Sequence, residues 1–190
     1  MHAAVMALGL MVAQTSATDS LKARDAEIRK ALPPGDAEIP EPKKAKLAGI
    51  LTQTVDMPAM AKDAVGKRWD ALSAADRKRY VSAFEGFFRK ASEGEIAGFR
   101  NSQIDYGAET SSGDDVQVPT TLTLKGEPTP VIYTLRKEGE GYKIVDLTID
   151  GVSTVDNYKS SFGKEIDKNG IGGLISKLHD RTTHPVGAKN

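Results

Sequence analysis

A chain of 190 residues and 20.4 kDa suits one domain, and at that length folding buries roughly two thirds of the surface the unfolded chain exposes, so one core suffices. Its 26 basic and 26 acidic side chains cancel to a net charge of +0, which removes the sequence-independent attraction nucleic acid requires, and the densest basic run is only Pro42-Lys43-Lys44-Ala45-Lys46. With Cys 0, disulfides, thiolate nucleophiles and cysteine metal sites are excluded.

Ala3 to Ala13 is an uncharged apolar run of signal-peptide length, and Thr15-Ser16-Ala17 follows as a small-residue cleavage candidate. The basic start usual in such signals is missing, with only the Met1 amine and His2 in its place. The run is too short to span a bilayer. Residues 1–17 are therefore expected to be a signal peptide, ahead of a single domain over 18–182 and a polar C-terminal tail over 183–190.

From Asp19 to Leu32, Leu21, Ile28 and Leu32 recur among charges as in an amphipathic helix, which Pro33-Pro34-Gly35 ends. A second helix is predicted over Lys43 to Thr54, with Leu47, Ile50, Leu51 and Val55 on its apolar side. Asp56 is placed to cap a short third helix, because Pro58 is tolerated in a first turn whose N–H groups lack partners; Gly66 ends it. Ser73-Ala74-Ala75-Asp76 has the form of a capping box. The helix it opens carries Tyr80, Phe84, Phe87, Phe88, Ala91, Ile96 and Phe99 as a broad apolar stripe.

After Asn101 the period changes from helical to alternating. Ile104, Tyr106 and Ala108 form one strand face, and Val116, Val118, Thr120, Leu122 and Leu124 a second, where Pro119 argues for an edge or a bulge. Val131, Tyr133 and Leu135 form a third, and Val145, Leu147 and Ile149 a fourth. The predicted fold is α+β: N-terminal helices, a four-stranded antiparallel meander with one face under helices, then two C-terminal helices.

Gly151-Val152-Ser153-Thr154-Val155 departs from the Gly-x-Ser-x-Gly nucleophile elbow at its last position, and Ser153-Thr154-Val155-Asp156 repeats the capping-box pattern instead. Asn169-Gly170 reads as the left-handed end of one helix before the next, since Gly170-Ile171-Gly172-Gly173 lacks the strand and spacing of a dinucleotide fingerprint. His2, His179 and His184 make no ligand set, so no metal or other cofactor is expected. Asp146, Tyr133 and Tyr106 are the residues an acid–base site would use, but no spacing demands it and carboxylates alternating on a strand are usually solvated.

The run Tyr142-Lys143-Ile144-Val145-Asp146-Leu147-Thr148-Ile149-Asp150-Gly151-Val152-Ser153, followed by Asn157-Tyr158-Lys159 and Phe162, resembles the signature of the MlaC family, also called toluene-tolerance proteins. The likeness extends upstream through Val55-Asp56, Met60-Ala61, Gly66, Trp69 and Arg79 to Phe84, and downstream through Gly170 and Leu174-Ile175 to Leu178. Tyr142 stands where family members commonly have Trp, Asp150 where Glu is common and Lys159 where Arg is common, each keeping the chemical type.

The resemblance implies a periplasmic phospholipid carrier, the soluble component of an ABC transport system. It would exchange a phospholipid of two acyl chains with an inner-membrane ABC transporter complex and an outer-membrane lipoprotein complex. It would make or break no bond, use no cofactor, bind no nucleic acid and act as a monomer. A carrier needs an apolar cavity near the upper end of ordinary pocket volumes, about 1,000 Å³, here expected between sheet and helices. Its candidate walls are Phe84, Phe87 and Phe88 of the long helix, and Tyr106, Val116, Val118, Val131, Tyr133, Leu135, Val145 and Leu147 of the sheet. Val152, Tyr158 and Phe162 complete the set, and the same residues equally suit a filled core. The alternatives are a small isomerase- or dehydratase-like acid–base enzyme on a cone-shaped α+β scaffold, or a ligand-free envelope adaptor.

Overall fold

The computed structural model describes residues 15–33 and 38–183. The apolar run of the expected signal peptide, the Pro34-Gly35 helix stop, His2, His184 and all of the expected tail beyond Thr183 lie outside the described residues, as does the side chain of Ile96. Ser16 and Ala17, read above as part of a cleavage site, have a place in the fold. The Ser16 hydroxyl accepts the Asp19 N–H at 3.0 Å and so caps helix α1 (Ala17–Ala31), while Ala17 is fully buried.

Helix α2 (Glu41–Thr54) enters through Pro40 and Pro42, whose missing N–H groups cost nothing in a first turn. Its last turn leads into Val55, which forms a parallel bridge with Ile144, and the Asp56 N–H donates to the Ile144 carbonyl at 2.9 Å. Asp56 then caps α3 (Met57–Val65) through the Ala59 N–H. A 3-10 turn (Gly66–Ala71) follows. At Gly66, where φ is 56°, a Cβ would sit 2.9 Å from Cε of Lys159, so two positions that carry the family resemblance meet across the fold.

Ser73 opens α4 (Ala74–Arg100), a helix of 27 residues and therefore about 40 Å long. The capping box is only half formed: Ser73 accepts the Asp76 N–H, but the Asp76 carboxylate takes the Ser73 hydroxyl at 2.7 Å in place of a backbone donor.

The sheet has six strands where four were expected: β1 (Ser102–Tyr106), β2 (Thr110–Ser112), β3 (Asp115–Leu124), β4 (Glu127–Glu138), β5 (Gly141–Ile149) and β6 (Val152–Ser153). They order as β1-β3-β4-β5-β6, with β2 also paired to β3, and every pairing is antiparallel. The extra strands arise in two places. The expected first strand ends at Tyr106, before Ala108, and resumes as β2. Asp150 and Gly151, at φ 50° and 79°, make a two-residue hairpin that returns Val152 and Ser153 to the sheet before the last helix begins.

Pro119 lies on β3, a central strand, and the reason it is tolerated there is directional. Its carbonyl accepts the Gly107 N–H at 2.8 Å, so its ring nitrogen also faces the gap between β1 and β2, where no ladder bond is forfeited. The expected row Val145, Leu147, Ile149 is likewise interrupted. The register shifts between Thr134 and Leu135, so Leu135 pairs with Ile144 and Val145 is the extra residue of a bulge.

Residues opposite one another share a face, and the rows Tyr106–Thr120–Val131–Ile149, Val118–Tyr133–Leu147 and Val116–Leu135–Ile144 make one face of the sheet apolar. The opposite face carries Gln103, Asp105, Gln117, Thr121 and Arg136. On the apolar face the main core joins Leu21, Met60, Tyr80, Phe84, Val118, Leu135, Ile144, Phe162 and Leu174. A second cluster of Ile28, Leu32, Ile39, Leu47 and Ile50 binds α1 to α2, with Phe99 of α4 packed against it.

The last helix, α5 (Thr154–Thr183), breaks at Gly170 (φ 69°, ψ 177°) into the two helices the sequence predicts. A Cβ on Gly173 would collide with Cβ of Asn169, so the kink demands glycine twice. The Lys177 ammonium reaches back across the kink to the Glu165 carboxylate.

Candidate functional site: the apolar sheet face and its helical cover

The candidate wall residues divide by packing. Tyr158 and Phe162, one turn apart on α5, stack at 5.2 Å and 8°. Phe84 meets Tyr158 edge-on at 5.7 Å and Phe162 edge-on at 6.2 Å, and Phe87 meets Tyr158 at 5.7 Å, the offset and edge geometries that the ring quadrupole favours. These rings weld α4 to α5. Phe84, Phe88 and Phe162 are buried, with Phe87 and Tyr158 at the margin.

On the sheet, Val118 and Leu135 are 0% and 1% exposed, and Val131 and Val145 are also buried. Tyr106, Val116, Tyr133 and Leu147 are only half-buried. Val152 is 59% exposed and pairs with Ile149, which is 44% exposed. Ile104, Leu122 and Leu124, not nominated as wall residues above, continue the half-buried strip towards the C-terminal end of α4, where Gly98 admits the Leu124 side chain. Their signal was in the sequence, as the alternation of β1 and β3, but alternation marks a face and not how tightly helices cover it. The candidate walls thus divide between a filled core and a half-buried apolar strip.

Helix α1 buries Ala17, Leu21 and Ile28, and beside them it sets polar groups against this strip. Asp25 pairs with Arg29 at 2.6 Å. The Arg29 guanidinium lies 4.6 Å from the Phe99 ring centre and points its N–H groups at the Phe99 carbonyl and the Ser102 hydroxyl, at 3.4 and 3.5 Å. Lys22 sits 5.4 Å over the Tyr106 ring, and Thr18 donates twice to Glu109 at 2.9 Å. Burial, reinforced by the Asp25 charge, pushes the Tyr106 and Tyr133 phenols well above their ordinary range. Both stay protonated at neutral pH and offer hydroxyl groups at the polar end of an apolar strip.

Asp146 has a different role from a solvated strand carboxylate. It pairs with Thr134 and so sits on the face opposite Tyr133 and Tyr106, which separates the acid–base constellation the sequence allowed. Its oxygens accept the Leu147 N–H at 2.8 Å, the Val155 N–H at 3.0 Å and the Ser153 hydroxyl at 2.6 Å. Ser153 in turn accepts the Asp156 N–H at 3.0 Å, the capping role its sequence predicts. This carboxylate is architectural. Among the described residues no group of three or more His, Asp or Glu is placed to hold a metal ion, and no helix is long and apolar enough to cross a membrane.

Two depressions lie away from the sheet. One of about 40 Å³ sits between the halves of α5, beside Phe162, Leu174 and Leu178. The other, of about 430 Å³, lies between α4 and the second half of α5.

The family described as MlaC protein matches the chain over residues 25–180. No curated protein matches it. Among solved structures, the phospholipid-binding protein from Ralstonia solanacearum in complex with a phospholipid shares the fold, with a TM-score of 0.75 over 90% of this chain and 97% of that one at 24% identity.

Proposed function

The chain belongs to the MlaC family, and from that premise we propose that it is a periplasmic phospholipid carrier, the soluble component of an ABC transport system. The observation that carries this reading is the sheet face, largely apolar at alternate positions and only half-buried at Ile104, Leu122, Leu124, Tyr133 and Leu147, with Ile149 exposed at its edge. The shared fold with a structure described as holding a phospholipid supports it. The physical problem is desorption. Burying acyl chains gains about 0.8 kcal/mol per methylene, so two long chains hold a phospholipid in a bilayer by roughly 20 kcal/mol. A carrier offers an equivalent apolar surface, and the half-buried strip is the candidate for it.

In this reading the acyl chains lie on Ile104, Leu122, Leu124, Tyr133, Leu147 and Ile149, and α1 shifts to admit them. Its contacts at Thr18 and Lys22 are exposed and cheap to exchange for water, and the acyl chains would re-cover the apolar surface that Leu21 and Ile28 give up. The headgroup stays at the polar end near Lys22, Arg29 and Tyr106. Residues 18–182 form the lipid-binding domain behind a signal peptide, and the monomer exchanges lipid with an inner-membrane transporter complex and an outer-membrane lipoprotein complex. No group is required to make or break a bond.

The test is loading: lipid-free protein is incubated with vesicles of labelled phospholipid, separated from them and extracted. About one labelled phospholipid per chain is expected. Protein that emerges with none overturns the reading.

A further inference from the structure

We propose that the depression between α4 and the second half of α5 is a second, surface site for phosphate groups, through which the protein engages the headgroups of an anionic bilayer. The depression is lined by Lys78, Arg79 and Ser82 from α4 and by Ile175, Ser176 and His179 from α5. Each helix contributes residues at i, i+1 and i+4, so each trio lies along one side of its helix and the two sides face one another. Ile175 is buried beneath, while the other five are exposed.

The chemistry of the lining is one-sided. Lys78 and Arg79 supply fixed positive charge, Ser82 and Ser176 supply hydroxyl groups, His179 completes the rim, and none of the lining residues is acidic. The chain as a whole carries no net charge, so this concentration of cations is a local feature. Arg79 does pair with Asp76, at 3.4 Å, but with its side chain 64% exposed, and Asp76 already takes the Ser73 hydroxyl. An exposed pair of that length is readily exchanged for a phosphate oxygen, to which guanidinium presents a matching fork.

Size decides what carries the phosphate. At about 430 Å³ the depression is far wider than a cage for a bare phosphate ion. The site is also an open surface feature, so it suits a phosphodiester presented at a surface, with the apolar Ile175 beneath it. This surface belongs to the helical side and shares no residue with the strip proposed to hold acyl chains.

The experiment is cosedimentation of the full chain with vesicles of phosphatidylcholine alone or doped with phosphatidylglycerol, with inorganic phosphate as competitor. Binding to the doped vesicles is expected to weaken about 25-fold in Lys78→Gln/Arg79→Gln, about fivefold for each cation lost near an anionic surface. The double substitution Lys164→Gln/Lys168→Gln removes the same charge from the exposed first half of α5, and is expected to bind as the parent does. Equal weakening in both variants, or binding to no vesicle, overturns the proposal, as does a site that takes inorganic phosphate but no vesicle. Phospholipid loading of the same variants separates this inference from the carrier reading. A chain that carries no lipid yet binds doped vesicles through Lys78 and Arg79 fails the carrier reading and upholds this one.

Discussion

The Ser153 hydroxyl donates to the Asp146 carboxylate over 2.6 Å, which ties the start of α5 to the middle of β5. Because Asp146 also accepts the Leu147 and Val155 N–H groups, one carboxylate holds the strand, the short β6 return and the helix cap together. Asp146→Ala leaves two N–H groups and a hydroxyl without their charged acceptor and is expected to cost about 3 kcal/mol. Ser153→Ala, which loses one cap, is expected to cost about 1 kcal/mol. Urea unfolding checks the order, and equal effects would contradict the hub role of Asp146.

The two helices of α5 meet at Gly170, where φ 69° with ψ 177° is a region essentially restricted to glycine. Gly170→Ala is expected to cost about 1–3 kcal/mol, seen as a melting temperature lower by roughly 2–10 °C in a chain of this size. A variant that melts with the parent would mean the kink relaxes freely.

Tyr80 is fully buried and donates its hydroxyl to the Ala61 carbonyl at 3.0 Å. Burial raises its pKa far above the ordinary value of 10.0. Since the folded-state pKa is the higher one, the stabilisation is fully present below pH 10.0 and is lost as pH rises above it, because only the unfolded chain then releases the proton. Burial also raises Tyr106, Tyr133 and Tyr158, so they add to the same alkaline decline. Tyr80→Phe is expected to lose about 1 kcal/mol at neutral pH with its hydrogen bond and to show a shallower decline above pH 10. Unfolding free energies measured across that range check both signs.

Filled core and open strip are separable by substitution. Val118→Ala removes fully buried methyl groups and is expected to cost about 2 kcal/mol while leaving lipid loading intact. Leu122→Asp places a charge on the half-buried strip and is expected to abolish loading at a smaller cost in stability. Parallel measurements of loading and urea unfolding distinguish the two, and the reverse pattern would move the lipid surface into the present core.

What the sequence disclosed follows from how local each signal is. Ser73, Asp56, Ser153 and Gly170 were legible because a cap or a kink is written within four residues. The apolar sheet face was legible because alternation is written within one strand. The bulge at Val145 and the tolerance of Pro119 depend on partners across the sheet, and the role of Asp146 depends on the Val155 N–H that only the Asp150-Gly151 turn brings back. Which apolar residues are filled core, as Phe84 is, and which are partly open, as Leu122 is, depends on helices distant in sequence. The basic depression was invisible for the same reason, since Lys78 and Arg79 meet Ser176 and His179 only in the folded chain.

If the apolar face holds phospholipid, native mass spectrometry of protein purified from cells without detergent reveals it. The expected spectrum shows the monomer carrying one added mass of a diacyl phospholipid, lost on organic extraction and much reduced in Leu122→Asp. A spectrum of bare monomer alone, from protein that also takes up no phospholipid when offered vesicles, would contradict it.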